Sequence, residues 1–408
     1  MKVFHEQHEQ NEQLDCVVAG HICLDITPKM YQGGSVAEIF RPGKLIQVGP
    51  PAVSTGGAVS NTGLPLRRLG ASIKLMGKCG DDMFGQAILG FLRREAPGAQ
   101  EGMKVVPGEN TSYTVVLNPP GIDRMFLHCP GANDTFTWQD IDLDVVSKAR
   151  LFHFGYPPLM AKLFADGGRE LVELFQKVKA CGVTTSMDMA LPDPTGPAGK
   201  VDWAGVLNKT LPHVDVFTPS VEELTFMIRR PTFEKLLGQS SGGDMLAQID
   251  GDLLAELADR CIEAGAAIVL IKCGYHGMYL RTAGVGRLET MGRCKVANPQ
   301  NWTNRELFEP SYRVEHIASA TGAGDCAIAG FLAGLLNGES AEDSLRYACA
   351  VGAQNLQQAD SISGVRDWAY TQAQIAARPA KMDLNLQLVR WRHNTQADHY
   401  VGPRDGRV

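Results

Sequence analysis

One carboxylate, Asp325, follows the run Ser319-Ala320-Thr321-Gly322-Ala323-Gly324 and precedes an apolar stretch from Ile328 to Leu336. A turn of small residues therefore delivers an acid to the opening of a helix. The first backbone N–H groups of a helix have no internal partner, and the helix dipole adds roughly half a positive charge there, so an anion is favoured at that point. Glycine lets the main chain come close to it. A carboxylate beside such an anion hole is poorly placed to hold a phosphate, but well placed to take a proton from a hydroxyl that attacks one. Asp325 is thus the candidate base of a phosphoryl transfer. The bland alternative is a tight turn with Asp near a helix N-cap.

Further segments bear on this reading. Asp25 lies five positions after Gly20, at the end of the first expected strand. An ionised carboxylate is acceptor-only and can take hydrogen bonds from two neighbouring hydroxyls; the alternative is a strand-end turn acid before Pro28. Gly56-Gly57 lets the backbone lie against a flat ligand, and Asn61 offers a donor and an acceptor, unless the segment is only a turn before a helix. In Pro219-Ser220-Val221-Glu222-Glu223, Ser220 and Glu223 have the spacing of a capping box. Gly274-Tyr275-His276-Gly277 suits a β-hairpin turn. Gly238-x-Ser240-x-Gly242 matches a hydrolase nucleophile elbow in letters alone, without the flanking strand and helix, and no G-x-x-x-x-G-K-[ST] loop is present.

Together, Gly56-Gly57-Ala58-Val59-Ser60-Asn61, Met76-Gly77-Lys78-Cys79-Gly80-Asp81-Asp82-Met83-Phe84-Gly85 and the late Gly-Ala-Gly-Asp stand in the order found in the ribokinase-like (PfkB-type) carbohydrate kinases, which the chain resembles over about residues 15–365. The resemblance implies an α/β fold, a three-layer sandwich with a mostly parallel central sheet and a small β lid. It implies ATP and Mg2+, with backbone amides of Gly322, Ala323 and Gly324 on the transferring phosphate and Asp325 as base. Asp25, Gly56, Gly57, Asn61 and Asn133 would meet the acceptor. Lys272, Gly274, Gly277 and Thr321 would meet the nucleotide, and Glu223, through water, and Asp188 the metal. Asp81 and Asp82 read as architectural. Four positions depart from the pattern: Ser319-Ala320 where Asp-Thr is common, which leaves dependence on a monovalent cation open, Ser220 in place of Asn, and Gly63 in place of a small Ala, Ser or Thr.

The elements that must position these groups follow from periodicity. Strands are expected at Cys16 to Gly20, Ser72 to Met76, Leu151 to Phe154, Val183 to Met187, Val214 to Phe217 and Ala266 to Ile271, with helices between them near Asn61 to Leu69, Leu171 to Val178 and Leu253 to Ala264. Such alternation implies right-handed crossovers and a sheet covered on both faces, with ligands at the carboxyl ends of its strands. A hairpin over residues 112–117 and 124–128, around Asn118-Pro119-Pro120-Gly121, is assigned to the lid, whose segments are 22–56 and 106–135, and it carries Arg124 and His128. Residues 1–14 read as a mobile tail with His5 and His8 solvated, 229–252 as a surface loop, and 366–408 as a C-terminal extension with an apolar helix or strand near Leu384 to Trp391.

With 408 residues, 44% hydrophobic and 21% charged, the chain can bury a full core. A net charge of −6 with no cluster of Lys and Arg excludes general attraction to nucleic acid or anionic membrane. Ten scattered cysteines without a C-x-x-C pair fit buried thiols better than a zinc site or a disulfide framework. No apolar stretch nears the ~20 residues that span a bilayer, and the opening Met-Lys-Val-Phe-His lacks a signal-peptide core, so a cytoplasmic protein is expected. The expected activity is phosphorylation of a hydroxyl on a sugar or sugar-like acceptor, with pairing of two lids into a homodimer. Two other readings stand beside it: a nucleoside kinase, and a non-catalytic ligand-binding regulator on the same fold, against which the intact Asp325 argues.

Overall fold

The computed structural model describes residues 14–31, 33–121, 124–240, 244–358 and 360–407. The tail expected over 1–14, with His5 and His8, therefore lies outside the described residues except for Leu14, which opens the first strand. In chain order the strands are β1 Leu14–Gly20, β2 Cys23–Lys29, β3 Gly49–Gly56, β4 Ile73–Met76, β5 Lys78–Gly80, β6 Lys104–Val106, β7 Tyr113–Leu117, β8 Met125–Cys129, β9 Ala149–Gly155, β10 Thr184–Asp188, β11 Val216–Phe217, β12 Ile268–Lys272, β13 Gly277–Thr282, β14 Glu306–Pro310, β15 Arg392–Asn394 and β16 His399–Val401. The main sheet runs β4-β1-β9-β10-β11-β12-β13-β14-β16-β15. It is parallel from β4 to β12 and antiparallel beyond.

Parallel strands covered on both faces read as nearly continuous apolar runs, and Ile268-Val269-Leu270-Ile271 of β12 is buried throughout. One face carries the helices Ala58–Arg68, Ala323–Leu336 and Ala341–Asn355, packed through Leu64, Leu66, Ile328, Phe331 and Leu345. The other carries Arg169–Ala180, Val221–Ile228 and Gly251–Glu263, packed through Leu171, Phe175, Leu224 and Leu257. Each such side chain contributes about 1.5–3 kcal/mol when fully buried. The helix Ala323–Leu336 is buried on every side beyond its first two residues, because Gly330 and Gly334 let its neighbour come close. A Cβ at Gly330 would stand 2.5 Å from the carbonyl oxygen of Tyr347.

A second sheet, ordered β3-β2-β7-β8, holds the hairpin expected around Asn118, with Leu117 opposite Met125. β6 does not join it and pairs with β5 instead.

One expectation is corrected. Residues 229–252 are not a surface loop. They hold the helix Arg230–Gln239, whose Phe233 is buried edge-on against Phe226 at 5.3 Å, and a turn Met245–Gln248 with Met245 buried. Phe233 and Leu236 share a helical face behind Pro231, a signal overshadowed by the Gly/Ser cluster after it. Gly238 and Ser240 end that helix, and residues 241–243 lie outside the described residues. The C-terminal extension after 366 forms the helix Trp368–Ala376 and then adds β16 to β14 and β15 to β16, just beyond the stretch where an apolar element was expected. Among the described residues no helix is long and apolar enough to cross a membrane.

Candidate active site

Gly322 caps the helix Ala323–Leu336 at φ +73, where a Cβ would also stand 2.6 Å from that of Ser361. The first turn then buries Asp325, which meets two other elements. Tyr156, directly after β9, donates its hydroxyl to Oδ1 at 2.6 Å, and the Asn61 amide on the helix Ala58–Arg68 approaches Oδ2 at 3.4 Å. Burial raises the Asp325 carboxyl, opposed by the Lys272 ammonium and by the bonds from Tyr156 and Asn61.

Lys272 closes β12 and lies against the same turn, since a Cβ at Gly324 would sit 3.3 Å from its Cδ. Its Nζ donates to Asp188 Oδ1 at 2.6 Å and stands 4.0 Å from Glu223 Oε2. Burial pulls the ammonium down, but Asp188, Glu223 and Asp325 more than offset this and hold it above its usual value. Burial pushes Asp188 and Glu223 up, with Lys272 opposing in each case. Glu223 also completes a capping box, accepting from the Ser220 amide at 2.6 Å while its own amide donates to Ser220 Oγ at 3.1 Å. Among the described residues no group of three or more His, Cys, Asp or Glu forms a protein-only cage. Magnesium beside phosphates uses one or two carboxylates and keeps several waters, and Asp188, whose buried Oδ2 has no hydrogen-bond partner, fits that donor set together with Glu223.

Asp25, on β2, packs on the turn that opens the helix Ala58–Arg68. A Cβ at Gly56 would fall 2.2 Å from Asp25 Oδ2, and one at Gly57, which lies at φ +86, would fall 2.5 Å from the His21 carbonyl oxygen. Burial holds the Asp25 carboxyl at about 6, against bonds from Cys23 and Thr114. A cavity of about 410 Å³ has Asp25, Thr27 and Ser54 on one wall and Ser319 and Thr321 on another. It joins the early acid to the turn that carries the late one.

The other expected residues are placed as follows. Asn133 is fully buried and spends both ends of its amide on Ile22, accepting from its N at 3.3 Å and donating to its O at 2.9 Å, so it fixes the chain between β1 and β2 and presents nothing to the cavity. Asn61, buried, faces Asp325. Gly274 and Gly277 frame the turn between β12 and β13, at φ +54 and +123. Thr321 takes a hydrogen bond from Arg124, which directly precedes β8, and its carbonyl accepts from Asn355 Nδ2 at 2.9 Å. Asp82 caps the helix Met83–Glu95 through the Gly85 amide at 2.9 Å. Tyr156 and His21 were missed. His21 is buried with Nδ1 unpartnered and its Nε2 3.4 Å from that of His128, and burial lowers both rings. Each missed residue directly follows the last residue of a parallel strand, Gly20 or Gly155, and that position was the available signal.

Residues 13–369 match the family model of the pfkB family carbohydrate kinases. The chain is 24% identical over 300 residues to an uncharacterised sugar kinase of Archaeoglobus fulgidus, covering 74% of this chain and 97% of that one. It is 28% identical over 210 residues to the probable fructokinase-4 of Arabidopsis thaliana, covering 51% of this chain and 60% of the fructokinase, so that alignment spans less than two thirds of the relative. Among solved structures it is similar to Arabidopsis thaliana ribokinase complexed with ribose and ATP, with a TM-score of 0.64 at 18% identity over 88% of this chain and 98% of that one. It is equally similar to a fructokinase with bound ATP from Xylella fastidiosa, with a TM-score of 0.65 at 18% identity over 89% and 98%. These likenesses fix the ribokinase-like fold, and the match over nearly the whole chain places the protein in the pfkB family of carbohydrate kinases.

Proposed function

We propose that the protein transfers the γ-phosphoryl group of ATP to a hydroxyl of a sugar or sugar-like acceptor, with Asp325 as general base. The observation that carries this reading is the buried Asp325 in the first turn of the helix Ala323–Leu336, where Gly324 packs against the Lys272 side chain and the Asp325 carboxyl feels the Lys272 ammonium. Asp325 takes the acceptor's proton as the acceptor oxygen bonds to the γ-phosphorus and the bond to the leaving ADP oxygen breaks. The helix-opening amides and Lys272 oppose the charge on the transferring group. Asp25 orients the acceptor through two of its hydroxyls. Magnesium, when bound with ATP, offsets phosphate charge, and Asp188 and, through water, Glu223 would hold it. Gly274 and Gly277 shape the turn under the nucleotide.

The small sheet acts as a lid over the cavity, tied to the catalytic turn by the bond from Arg124 to Thr321, and its closure keeps water from the phosphate. Its edge strand β8 exposes Phe126 and Leu127, which supports pairing of two lids in a homodimer. Cytoplasmic location belongs to the same proposal.

The test is acceptor-dependent ADP release across a panel of sugars, polyols and nucleosides. A sugar is expected to turn over, and Asp325→Asn to lower kcat about 100-fold or more. Turnover of nucleosides alone would favour the nucleoside reading, and an acceptor that binds without being phosphorylated would favour the regulator. If Asp325→Asn keeps most of the activity, the assignment of the base is overturned.

A further inference from the structure

Tyr156 has a backbone and a contact that neither its strand nor its motif context requires. It lies at φ +69 between Gly155 and Pro157. A non-glycine residue there is strained and persists only when its surroundings hold it. They do: its amide donates to the Asp188 carbonyl at 3.3 Å, and its own carbonyl accepts from the Leu159 amide at 3.0 Å. The conformation carries the ring to within 6.0 Å of His21 and sets the hydroxyl 2.6 Å from Asp325 Oδ1, the length of a charge-assisted bond. The phenol is the donor in this bond, because an ionised carboxylate only accepts.

Resting on the reading of Asp325 as base, we infer that Tyr156 is a positioning residue for the transfer: its hydroxyl pins Oδ1 of Asp325 and leaves Oδ2, beside Asn61, to receive the acceptor's proton. The acceptor O–H bond breaks and an Oδ2–H bond forms. The phenol keeps its own proton throughout. The groups that bear on Asp325 are Tyr156 after β9, Asn61 on the helix Ala58–Arg68, Lys272 at the end of β12, Asp188 at the end of β10 and Glu223 on the helix Val221–Ile228. Of these, Tyr156 holds the shortest hydrogen bond to the carboxylate. Its loss removes a donor that favours the ionised acid, so Asp325 will hold its proton to higher pH.

Tyr156→Phe keeps the ring and deletes only that bond. Two readouts on the full chain test it. In the first, Asp325, labelled with 13C at its carboxyl and assigned by the loss of its signal in Asp325→Asn, is titrated by NMR without substrate. Its midpoint is expected to rise by about one pH unit in Tyr156→Phe. In the second, the acceptor that turns over in the panel is used for steady-state kinetics. There kcat is expected to fall about 10-fold, with acceptor KM changed by less than about twofold and the acidic limb of the kcat profile moved to higher pH. An unchanged midpoint and kcat overturn the inference, as does a raised KM at unchanged kcat, which would make Tyr156 a substrate contact. Full activity in Asp325→Asn instead overturns the base itself, so the two failures are distinguishable.

Discussion

At the scale of single residues, the two acids differ in what surrounds them, and their titrations should differ accordingly. Asp325 has Lys272, Tyr156 and Asn61 around it, whereas the Asp25 carboxyl is held at about 6 mainly by burial. Below that value Asp25 is protonated and loses the charge with which it accepts hydroxyls, and above it the carboxylate is restored. Acceptor KM is therefore expected to rise as pH falls through about 6, and Asp25→Asn to abolish that dependence while weakening binding. A KM profile that is flat across this range in the unaltered protein refutes the assignment. Asp325 could be picked out as a candidate from spacing, because a glycine turn before a helix is a local pattern, and Asp25 only with the help of the family resemblance. Tyr156 could not. Its contact with Asp325 spans 169 positions and depends on a positive φ that no tyrosine announces.

At the scale of elements, the turn from β3 into the helix Ala58–Arg68 touches both Asp25 and Asp325. Gly56 makes room for Asp25, and one turn later Asn61 reaches Asp325. Gly56→Ala leaves the backbone conformation accessible but places a methyl on the Asp25 carboxylate. It is expected to lower kcat/KM for the acceptor about 10- to 100-fold while nucleotide KM stays constant, a split that steady-state kinetics with each substrate varied in turn will show. Equal losses for both substrates would mean that the helix itself had moved. The parallel strands were legible because their burial on both faces leaves apolar runs that polar loops interrupt. The helix Arg230–Gln239 was not, since its short apolar face of Phe233 and Leu236 borders a Gly/Ser-rich stretch that reads as loop.

At the scale of the whole molecule, the sheet is completed by residues that are remote in sequence. Strand order was not readable from periodicity, since β11 has two residues and β15 and β16 three each, too few to show alternation. Asp405 locks this last segment down: it accepts from Arg305 Nε at 2.8 Å and from the Glu306 amide at 3.0 Å, at the start of β14. Asp405→Ala leaves a buried guanidinium with one partner fewer and is expected to cost about 3 kcal/mol in urea unfolding, with kcat preserved. A loss within ~0.5 kcal/mol would show that Glu342 and the Asn301 carbonyl satisfy Arg305 without it. The late pairing of β16 with β14 also has a consequence for biosynthesis. β14 is synthesised some ninety codons before the partner is finished, so one flank waits bare, and a message cut short before that point yields a protein whose open flank invites proteases and chaperones.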